Sequence, residues 1–224
     1  MSRHSLQPRQ PHSHGRSKLP ERGLYAITDG PRNNLPEAAR RALEGGAAML
    51  QYRDKTSDTQ RRLREACALT ALCGEFAVPL IINDDVRLAK ASGAAGVHLG
   101  EDDTGIAEAR AVLGAGAIIG VSCYDSLQRA RQADAAGANY LAFGAFFPST
   151  TKPGAHHATP ELLHDARALG LPLVAIGGIR PDNGSSLIAA GADFLAVISA
   201  LFGARDVRTA AQQFTALFES RNEA

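Results

Sequence analysis

A polar loop between an apolar segment and a predicted helix start carries several side chains that could bind one anion. It spans residues 144–157 and contains three consecutive hydroxyl residues, at 149–151, followed by Lys152. Hydroxyl and ammonium donors grouped in this way suit a phosphate or diphosphate, which Lys binds as a point charge. The alternative is an ordinary surface loop, because connections between elements are usually polar and exposed.

Further polar residues follow other apolar segments. Gln51, Arg53 and Lys55 are spaced two apart, and in an extended chain this spacing directs the three side chains to one side. Acidic residues follow two later segments, and carboxylate oxygens are the hard ligands that Mg²⁺ prefers beside phosphates. These residues are Asp84, Asp85, Glu101, Asp102 and Asp103. Cations and acids together predict a site for a Mg²⁺-diphosphate substrate and a second, singly phosphorylated one.

Several of these residues also have structural interpretations. Asp85 is in place to cap a helix, and Asp102 and Asp103 could be ordinary loop acids. His98 lies inside an apolar segment, which favours a buried, hydrogen-bonded histidine over a ligand. Cys123 fits a packing role better than that of a nucleophile. The sequence contains no recognisable Ser-His-Asp or Cys-His set, so covalent catalysis by the protein is not indicated.

Eight short apolar segments alternate with eight helical patterns, which predicts parallel β-α-β units. The predicted strands are 24–27, 48–52, 79–83, 96–99, 118–121, 140–143, 172–176 and 194–198. The predicted helices are 36–44, 58–75, 85–91, 106–112, 126–135, 161–168, 182–189 and 207–219. Eight units at this length indicate an α/β single-domain (β/α)₈ TIM barrel. A doubly wound open sheet is the alternative, but Thr28-Asp29-Gly30-Pro31 is not its phosphate-binding turn.

A weak repeat orients this barrel. A Gly-Ala motif ends four helical patterns just before the next strand, at residues 45–48, 92–95, 136–139 and 190–193. Glycine suits the left-handed end of a helix, so these motifs mark the face that serves stability. The chemistry should lie on the opposite face, where strands end. There, Gly177-Gly178 and Ser199 occupy the last two strand-to-helix loops, where barrels commonly bind phosphate.

Composition narrows the possible partners and location. The 224 residues carry a net charge of only +1, so neither a nucleic acid nor a membrane surface is expected as a partner. Three cysteines without a C-x-x-C pair suit a reducing compartment, and we expect a cytoplasmic protein. We divide the chain into a disordered basic tail, residues 1–20, and a barrel domain, residues 21–224. The expected partners are small phosphorylated molecules, and a homo-oligomer is left open.

Seven motifs, in order, resemble those of the thiamine-phosphate synthase family. They begin at Gln51 (QYRDK), Ile82 (IND), Gly96 (GVHLGEDD), Gly120 (GVS), Phe147 (FPSTTK), Ile176 (IGGI) and Val197 (VIS). The resemblance covers about residues 23–203. It implies a transferase that joins 4-amino-2-methyl-5-hydroxymethylpyrimidine diphosphate to a thiazole phosphate carboxylate, forming thiamine phosphate, diphosphate and CO₂ in thiamine biosynthesis.

The resemblance also implies site residues. The pyrimidine diphosphate would be held by Gln51, Arg53, Lys55, Asn83, Ser122 and Lys152. The cofactor Mg²⁺ would be held by Asp84 and Asp103. The thiazole phosphate would be held by Ser149, Thr150, Thr151, Gly178, Ile198 and Ser199. The catalytic groups would be Arg53, Lys55, Ser122 and Lys152.

Two positions depart from the family pattern. The family usually has Gln where Glu101 stands and Thr where Ser149 stands. Ser149 keeps a hydroxyl donor, whereas Glu101 adds a negative charge beside the metal acids. Two alternative functions are considered: a thiazole tautomerase on the same barrel, which needs no diphosphate site, and a non-catalytic thiamine-phosphate sensor. The combination of Gln51, Arg53 and Lys55 with the acids argues against both.

Overall fold

Eight parallel strands close into a barrel in the computed structural model, which describes residues 19–100, 105–148 and 157–219. The strands are β1 Gly23–Ile27, β2 Met49–Tyr52, β3 Leu80–Asn83, β4 Gly96–Leu99, β5 Ile118–Tyr124, β6 Tyr140–Phe143, β7 Leu173–Ile176 and β8 Phe194–Val197. Each strand pairs with the next along the chain, and β8 returns to β1 with Phe194 opposite Gly23. The sheet has no free edge, which confirms the barrel and excludes the open doubly wound sheet.

The helices lie on the outside and connect the strands. They are α1 Leu35–Glu44, α2 Thr59–Glu75, α3 Val86–Ser92, α4 Ile106–Leu113, α5 Leu127–Ala135, α6 Pro160–Ala166, α7 Gly184–Ala190, α8 Ser199–Phe202 and α9 Val207–Glu219. The short helix α8 was not predicted, because four residues are too few to show a helical period. The predicted sixth helix ends at Ala166 and continues as one 3₁₀ turn, Arg167–Leu169. No helix in the described ranges is both long and apolar enough to cross a membrane.

Local sequence signals explain where the helices begin and end. Asp85 accepts a hydrogen bond from the Leu88 amide and caps α3, which confirms its predicted capping role. Thr159 stands at the N-cap of α6, but its side chain makes no capping bond there. Glycines of the Gly-Ala motifs adopt left-handed conformations, with φ of 92°, 70°, 91° and 118° at Gly46, Gly93, Gly137 and Gly191. The motifs therefore terminate helices as predicted.

Side chains alternate between two apolar regions along every strand. One set packs outward against the helices, and the other fills the barrel. The described interior residues of this second cluster are Tyr25, Ile27, Met49, Ile81, Ile118, Tyr140, Ala142, Val174, Phe194 and Ala196. The same alternation places Gln51, His98 and Ser122 on the interior side near the carboxyl ends of their strands. The barrel interior is thus mostly apolar, with polar side chains towards the mouth formed by the carboxyl ends of the strands.

Close strand packing makes Gly96 sensitive to substitution. A Cβ atom at Gly96 would lie 1.8 Å from the carbonyl oxygen of Ile118 on the neighbouring strand. We predict that Gly96→Ala lowers the free energy of unfolding by at least ~2 kcal/mol, because a backbone oxygen cannot move away without disrupting the sheet. Gly74→Ala is the matched control: it lies in α2 with open space around its Cβ position. This variant should be more stable by about 0.5 kcal/mol. Equal effects in urea unfolding would contradict the predicted packing.

Candidate active site

The end of β2 brings one buried and two more accessible polar side chains to the barrel mouth. Gln51 is 2% exposed and belongs to the strand, which ends at Tyr52. Arg53 and Lys55 lie in the following loop and are half-buried and exposed, respectively. Lys55 reaches across to β3, with its Nζ 3.6 Å from Oδ2 of Asp84. The structure therefore brings together a predicted diphosphate ligand and a predicted metal ligand.

Thr28, at the end of β1, fixes the start of this loop. Its hydroxyl accepts a hydrogen bond from the Arg53 amide at 2.9 Å, and its own amide donates to the Gln51 carbonyl. The Arg53 guanidinium makes no hydrogen bond or ion pair with any residue that the structure describes. The backbone of Arg53 is thus held in place while its charged group remains available for an anion.

Asp54 holds the other side of the loop. Its side chain is fully buried, accepts a hydrogen bond from the Thr56 amide at 2.8 Å, and pairs with Arg61 of α2 at 2.8 Å. Burial alone would raise the pKa of Asp54, but the hydrogen bonds from Thr56 and the Arg61 charge outweigh it and lower that pKa. The Asp54 side chain therefore stays ionised and points towards α2. Its sequence neighbours Arg53 and Lys55 lie at the mouth.

Asp84 begins the loop after β3 in an unusual backbone conformation. Its φ is +62°, in the left-handed region that Asp tolerates better than most residues. Its amide donates to the His98 carbonyl of β4 at 2.8 Å, so the neighbouring strand holds this conformation. The side chain is 34% exposed. Asn83, the last residue of β3, is half-buried next to it.

A continuous chain of hydrogen bonds crosses the barrel interior beneath the mouth. Gln51 Nε2 donates to Tyr25 Oη at 2.8 Å, and Tyr25 Oη lies 2.8 Å from Tyr140 Oη. Tyr140 Oη lies 2.9 Å from His98 Nδ1, and His98 Nε2 lies 2.9 Å from Ser122 Oγ. This chain connects two predicted pyrimidine ligands, Gln51 and Ser122. It also confirms His98 as a buried, hydrogen-bonded histidine.

Arg129 of α5 supports Ser122 from outside the barrel. Its Nε donates to the Ser122 carbonyl at 2.8 Å, and its NH2 group donates to the Gly100 carbonyl at 3.2 Å. These bonds tie the ends of β4 and β5 together. Cys123 faces away and is fully buried, and burial raises the pKa of its thiol to about 12. This agrees with the packing role predicted for Cys123, since a nucleophile needs an accessible thiolate.

The glycine pair after β7 packs against the start of the loop that follows β6. A Cβ at Gly178 would lie 2.5 Å from the Pro148 carbonyl oxygen, and its φ is +63°. The Phe147 amide donates to the Gly177 carbonyl at 3.1 Å, and Asn183 donates to the Gly178 carbonyl at 3.2 Å. The Gly178 backbone is therefore held beside the loop that precedes the predicted hydroxyl residues.

The end of β8 completes the mouth. Ile198 follows the strand as the N-cap residue of α8, and Ser199 is the first residue of that helix. A short extra helix after the eighth strand is the element that barrels use, with the loop after the seventh strand, to bind phosphate. The structure therefore places Gly178, Ile198 and Ser199 in the two adjacent loops that the prediction requires.

Some predicted residues lie outside the described ranges. They are Asp103, Ser149, Thr150, Thr151 and Lys152, as well as Glu101 and Asp102, which flank the metal prediction, and residues 1–18 of the predicted tail. Their assignments remain predictions. Within the described ranges no group of three or more His, Cys, Asp or Glu side chains could hold a metal ion. Asp84 is the described member of the predicted metal pair.

Sequence reasoning missed the residues that support the site. Tyr25, Tyr140, Asp54 and Arg129 contact predicted ligands or hold their loops, yet none was singled out. Tyr25 and Tyr140 resemble any aromatic residue in an apolar strand, and their partners lie up to 115 residues away. One signal was available: Gly120 lies two residues before Ser122, and a Cβ there would lie 1.9 Å from the Tyr140 ring. A glycine inside a strand often marks such a close approach.

Comparisons with known proteins find relatives in both sequence and fold. The family model described as thiamine monophosphate synthase matches residues 24–201. The chain is 53% identical over 205 residues to a thiamine-phosphate synthase of Nitrosococcus oceani, covering 90% of this chain and 94% of the relative. It is 56% identical over 200 residues to a thiamine-phosphate synthase of Azoarcus sp., covering 88% and 97%. A solved thiamine phosphate pyrophosphorylase from Pyrococcus furiosus is similar with a TM-score of 0.81 and 36% identity, covering 89% and 96%.

The lowered pKa of Asp54 predicts a specific acid dependence. A carboxyl whose pKa is lower in the folded than in the unfolded state stabilises the fold above its ordinary pKa of 3.8. That stabilisation is lost as the pH falls through the folded-state value. We predict that Asp54→Asn costs about 2 kcal/mol of unfolding free energy at pH 7, since Arg61 loses its buried partner. The difference from wild type should narrow as the pH falls below 3.8 towards the lower folded-state pKa.

Urea unfolding at a series of pH values measures this difference. Glu75→Gln is the control, because Glu75 forms an exposed ion pair with Arg40 and such pairs contribute little. It should stay within ~0.5 kcal/mol of wild type at pH 7. An Asp54→Asn difference that is the same at pH 7 and pH 3 would show that the ionised carboxylate does not hold the loop.

Proposed function

The chain belongs to the thiamine monophosphate synthase family, and from this membership we propose that it makes thiamine phosphate. The substrates are 4-amino-2-methyl-5-hydroxymethylpyrimidine diphosphate and a thiazole phosphate carboxylate, and the products include diphosphate and CO₂. The observation that carries the proposal is the convergence of Arg53, Lys55 and Asp84 at the same barrel mouth as Gly178 and Ser199. The side with Arg53, Lys55 and Asp84 suits a diphosphate with its metal. The side with Gly178 and Ser199 suits a single phosphate.

The cations act on the leaving group. The bond between the pyrimidine methylene carbon and the diphosphate oxygen breaks, and its electron pair leaves with the diphosphate. Arg53 and Lys55, with Lys152 from the predicted set, stabilise the charge that accumulates there. Charge that is placed before the reaction is commonly the largest contribution to catalysis. Arg53 is well suited, because the Thr28 contacts hold its backbone while its guanidinium has no partner among the described residues.

The thiazole nitrogen then attacks the delocalised pyrimidine cation. The carboxylate leaves as CO₂, and the electron pair of the broken carbon–carbon bond stays on the ring carbon, which then takes up a proton from solvent. No protein nucleophile is needed, which agrees with the absence of a nucleophile set from the sequence motifs. The protein's task is to hold both substrates in line and to exclude water from the cation. Ser122 and Gln51 would position the pyrimidine ring over the barrel.

The described part of the metal site fits Mg²⁺. Asp84 offers a hard carboxylate oxygen at the mouth, partly exposed and 3.6 Å from the ammonium group of Lys55. Asp84 and Asp103 would hold the ion, which when bound would neutralise part of the diphosphate charge. The proximity of Lys55 suits a ligand that shares its negative oxygens between a metal and a lysine.

The thiazole phosphate would bind on the other side of the mouth. The Gly178 backbone and Ser199 would contact it there, with Ile198 against the ring and the hydroxyls of Ser149, Thr150 and Thr151 completing the set. Gly178 is suited because a side chain at this position would collide with the Pro148 carbonyl. We also propose a cytoplasmic location, which the free thiols of Cys67, Cys73 and Cys123 support.

An assay with and without metal tests the proposed reaction. The protein is incubated with both substrates in Mg²⁺ or in EDTA, and thiamine phosphate and diphosphate are followed together. We expect equal amounts of both products with Mg²⁺ and none in EDTA. Formation of an isomerised thiazole in EDTA would favour the tautomerase alternative. Tight binding of thiamine phosphate without turnover under any metal condition would favour a sensor.

Removal of single charged groups should reduce turnover strongly. We predict that Asp84→Ala and Lys152→Ala each lower kcat at least ~100-fold, as expected for loss of one preorganised charge. Asp165→Ala and Lys90→Ala are the controls, because both side chains are exposed on outer helices, α6 and α3. The controls should retain wild-type rates. Near-normal turnover in both test variants would refute the proposed roles.

A further inference from the structure

The hydrogen-bond chain beneath the mouth contains groups that the proposed reaction does not use. Tyr25 and Tyr140 are 1% and 0% exposed, and His98 is 9% exposed, so none of the three is open to a substrate. They nevertheless connect Gln51 on β2 with Ser122 on β5 through four hydrogen bonds of 2.8 to 2.9 Å. Buried polar chains of this kind are costly unless every donor finds an acceptor.

With the Gln51 amide oriented as in the structure, donor counting gives the direction of the chain. The Gln51 nitrogen can only donate, so Tyr25 Oη accepts from it. Tyr25 has one proton, and Tyr140 Oη is the acceptor left for it. Tyr140 Oη then donates a hydrogen bond to His98 Nδ1. A neutral His98 with an unprotonated Nδ1 carries its proton on Nε2 and donates it to Ser122 Oγ.

With the same orientation of the Gln51 amide, the opposite direction leaves a buried donor without an acceptor. If His98 Nδ1 donated a hydrogen bond to Tyr140 Oη, the Tyr140 hydroxyl would in turn donate to Tyr25 Oη. Tyr25 would then accept from both Tyr140 and Gln51, and its own proton would have no acceptor among the described residues. An unsatisfied buried hydroxyl is much more costly than a hydrogen bond is favourable.

We propose that Tyr25, Tyr140 and His98 are positioning residues that set the hydrogen-bonding roles of Gln51 and Ser122 towards the pyrimidine substrate. Tyr25 holds the amide of Gln51 in one orientation. His98 donates to Ser122, so the Ser122 proton turns outward and the hydroxyl acts as a donor to an acceptor atom of the pyrimidine substrate. This inference rests on the proposed function for the identity of the substrate.

Two features keep this chain in place. Burial raises the pKa of both tyrosine hydroxyls well above the ordinary value of 10.0, so both keep their protons. The Tyr140 ring stacks on His98 with centroids 5.6 Å apart and meets Tyr25 edge-on at 88°. Gly120 leaves the space that the Tyr140 ring occupies, since a Cβ there would lie 2.3 Å from its hydroxyl oxygen. The positions of the rings in the chain are therefore set by the folded protein before substrate binds.

Nitrogen-15 NMR of histidine side chains tests the direction without any substrate. The full-length protein is labelled at its histidines, and the His98 signals are identified by their loss in His98→Gln. We expect wild-type His98 to be neutral with its proton on Nε2. In Tyr140→Phe, Nδ1 loses the hydroxyl that donates to it while Nε2 keeps Ser122 as its acceptor, so the proton should stay on Nε2 and the Nδ1 shift should move to that of a nitrogen without a hydrogen bond. A wild-type proton on Nδ1, or an Nδ1 shift that is unchanged in Tyr140→Phe, would overturn the proposal. Neither outcome depends on the proposed reaction.

Steady-state kinetics test the effect on the substrate through a double-mutant cycle. Tyr140→Phe should lower kcat/KM for the pyrimidine diphosphate about 10-fold in the wild-type background, and less than about twofold in Ser122→Ala, where the hydroxyl it orients is missing. The KM for the thiazole phosphate should not change. Equal losses in the two backgrounds would overturn the coupling.

Tyr52→Phe is the matched control for this cycle. Tyr52 is also a buried tyrosine at a strand, but its hydroxyl donates to Glu65 on the helix side of the barrel wall at 2.6 Å. Loss of this hydroxyl should have the same effect in both backgrounds, because it has no path to Ser122. Coupling of equal size for Tyr52 and Tyr140 would show a general loss of stability and would overturn the proposal.

Discussion

Closure of the barrel is the constraint on which the site depends. Because β8 pairs with β1, the carboxyl ends of all eight strands meet around one mouth. Parallel pairing gives every strand the same direction, and alternation decides which side chains point inward. Residues that are up to about 150 positions apart, such as Gln51 and Ser199, are thereby brought to the same end of the molecule. An open sheet with the same strands would not gather them.

The interior of the barrel places polar ligands above an apolar core. Gln51 and Ser122 emerge from strands whose lower parts are packed with Met49, Ile118 and similar residues. Tyr25 and Tyr140 bridge the two regions, since each has an apolar ring below and a hydroxyl above. Outside the barrel, Asp54 and Arg129 hold the loops at the mouth in place through hydrogen bonds and an ion pair. At the base of the mouth, hydrogen bonds therefore hold the polar groups in their directions.

Much of the fold and part of the site could be predicted from local sequence patterns. The eight strands, most of the helix ends and the residues at the strand ends follow from periodicity, glycine and capping signals. The strand-end residues were found because each stands next to its own strand. Tyr25, Tyr140 and Arg129 were not found, because their roles come from contacts between distant strands and helices. Helix α8 was missed because four residues show no period, although Ser199 itself was predicted.

A crystal structure of the protein with Mg²⁺, diphosphate and thiamine phosphate would test the central claim most directly, namely that the two halves of one mouth bind the two reacting groups. The account predicts diphosphate and metal between Arg53, Lys55 and Asp84. It predicts the phosphate of thiamine phosphate at Gly178 and Ser199, with the pyrimidine ring above Ser122. Binding of either ligand at the opposite end of the barrel, or of the phosphate among the cations of β2, would contradict it.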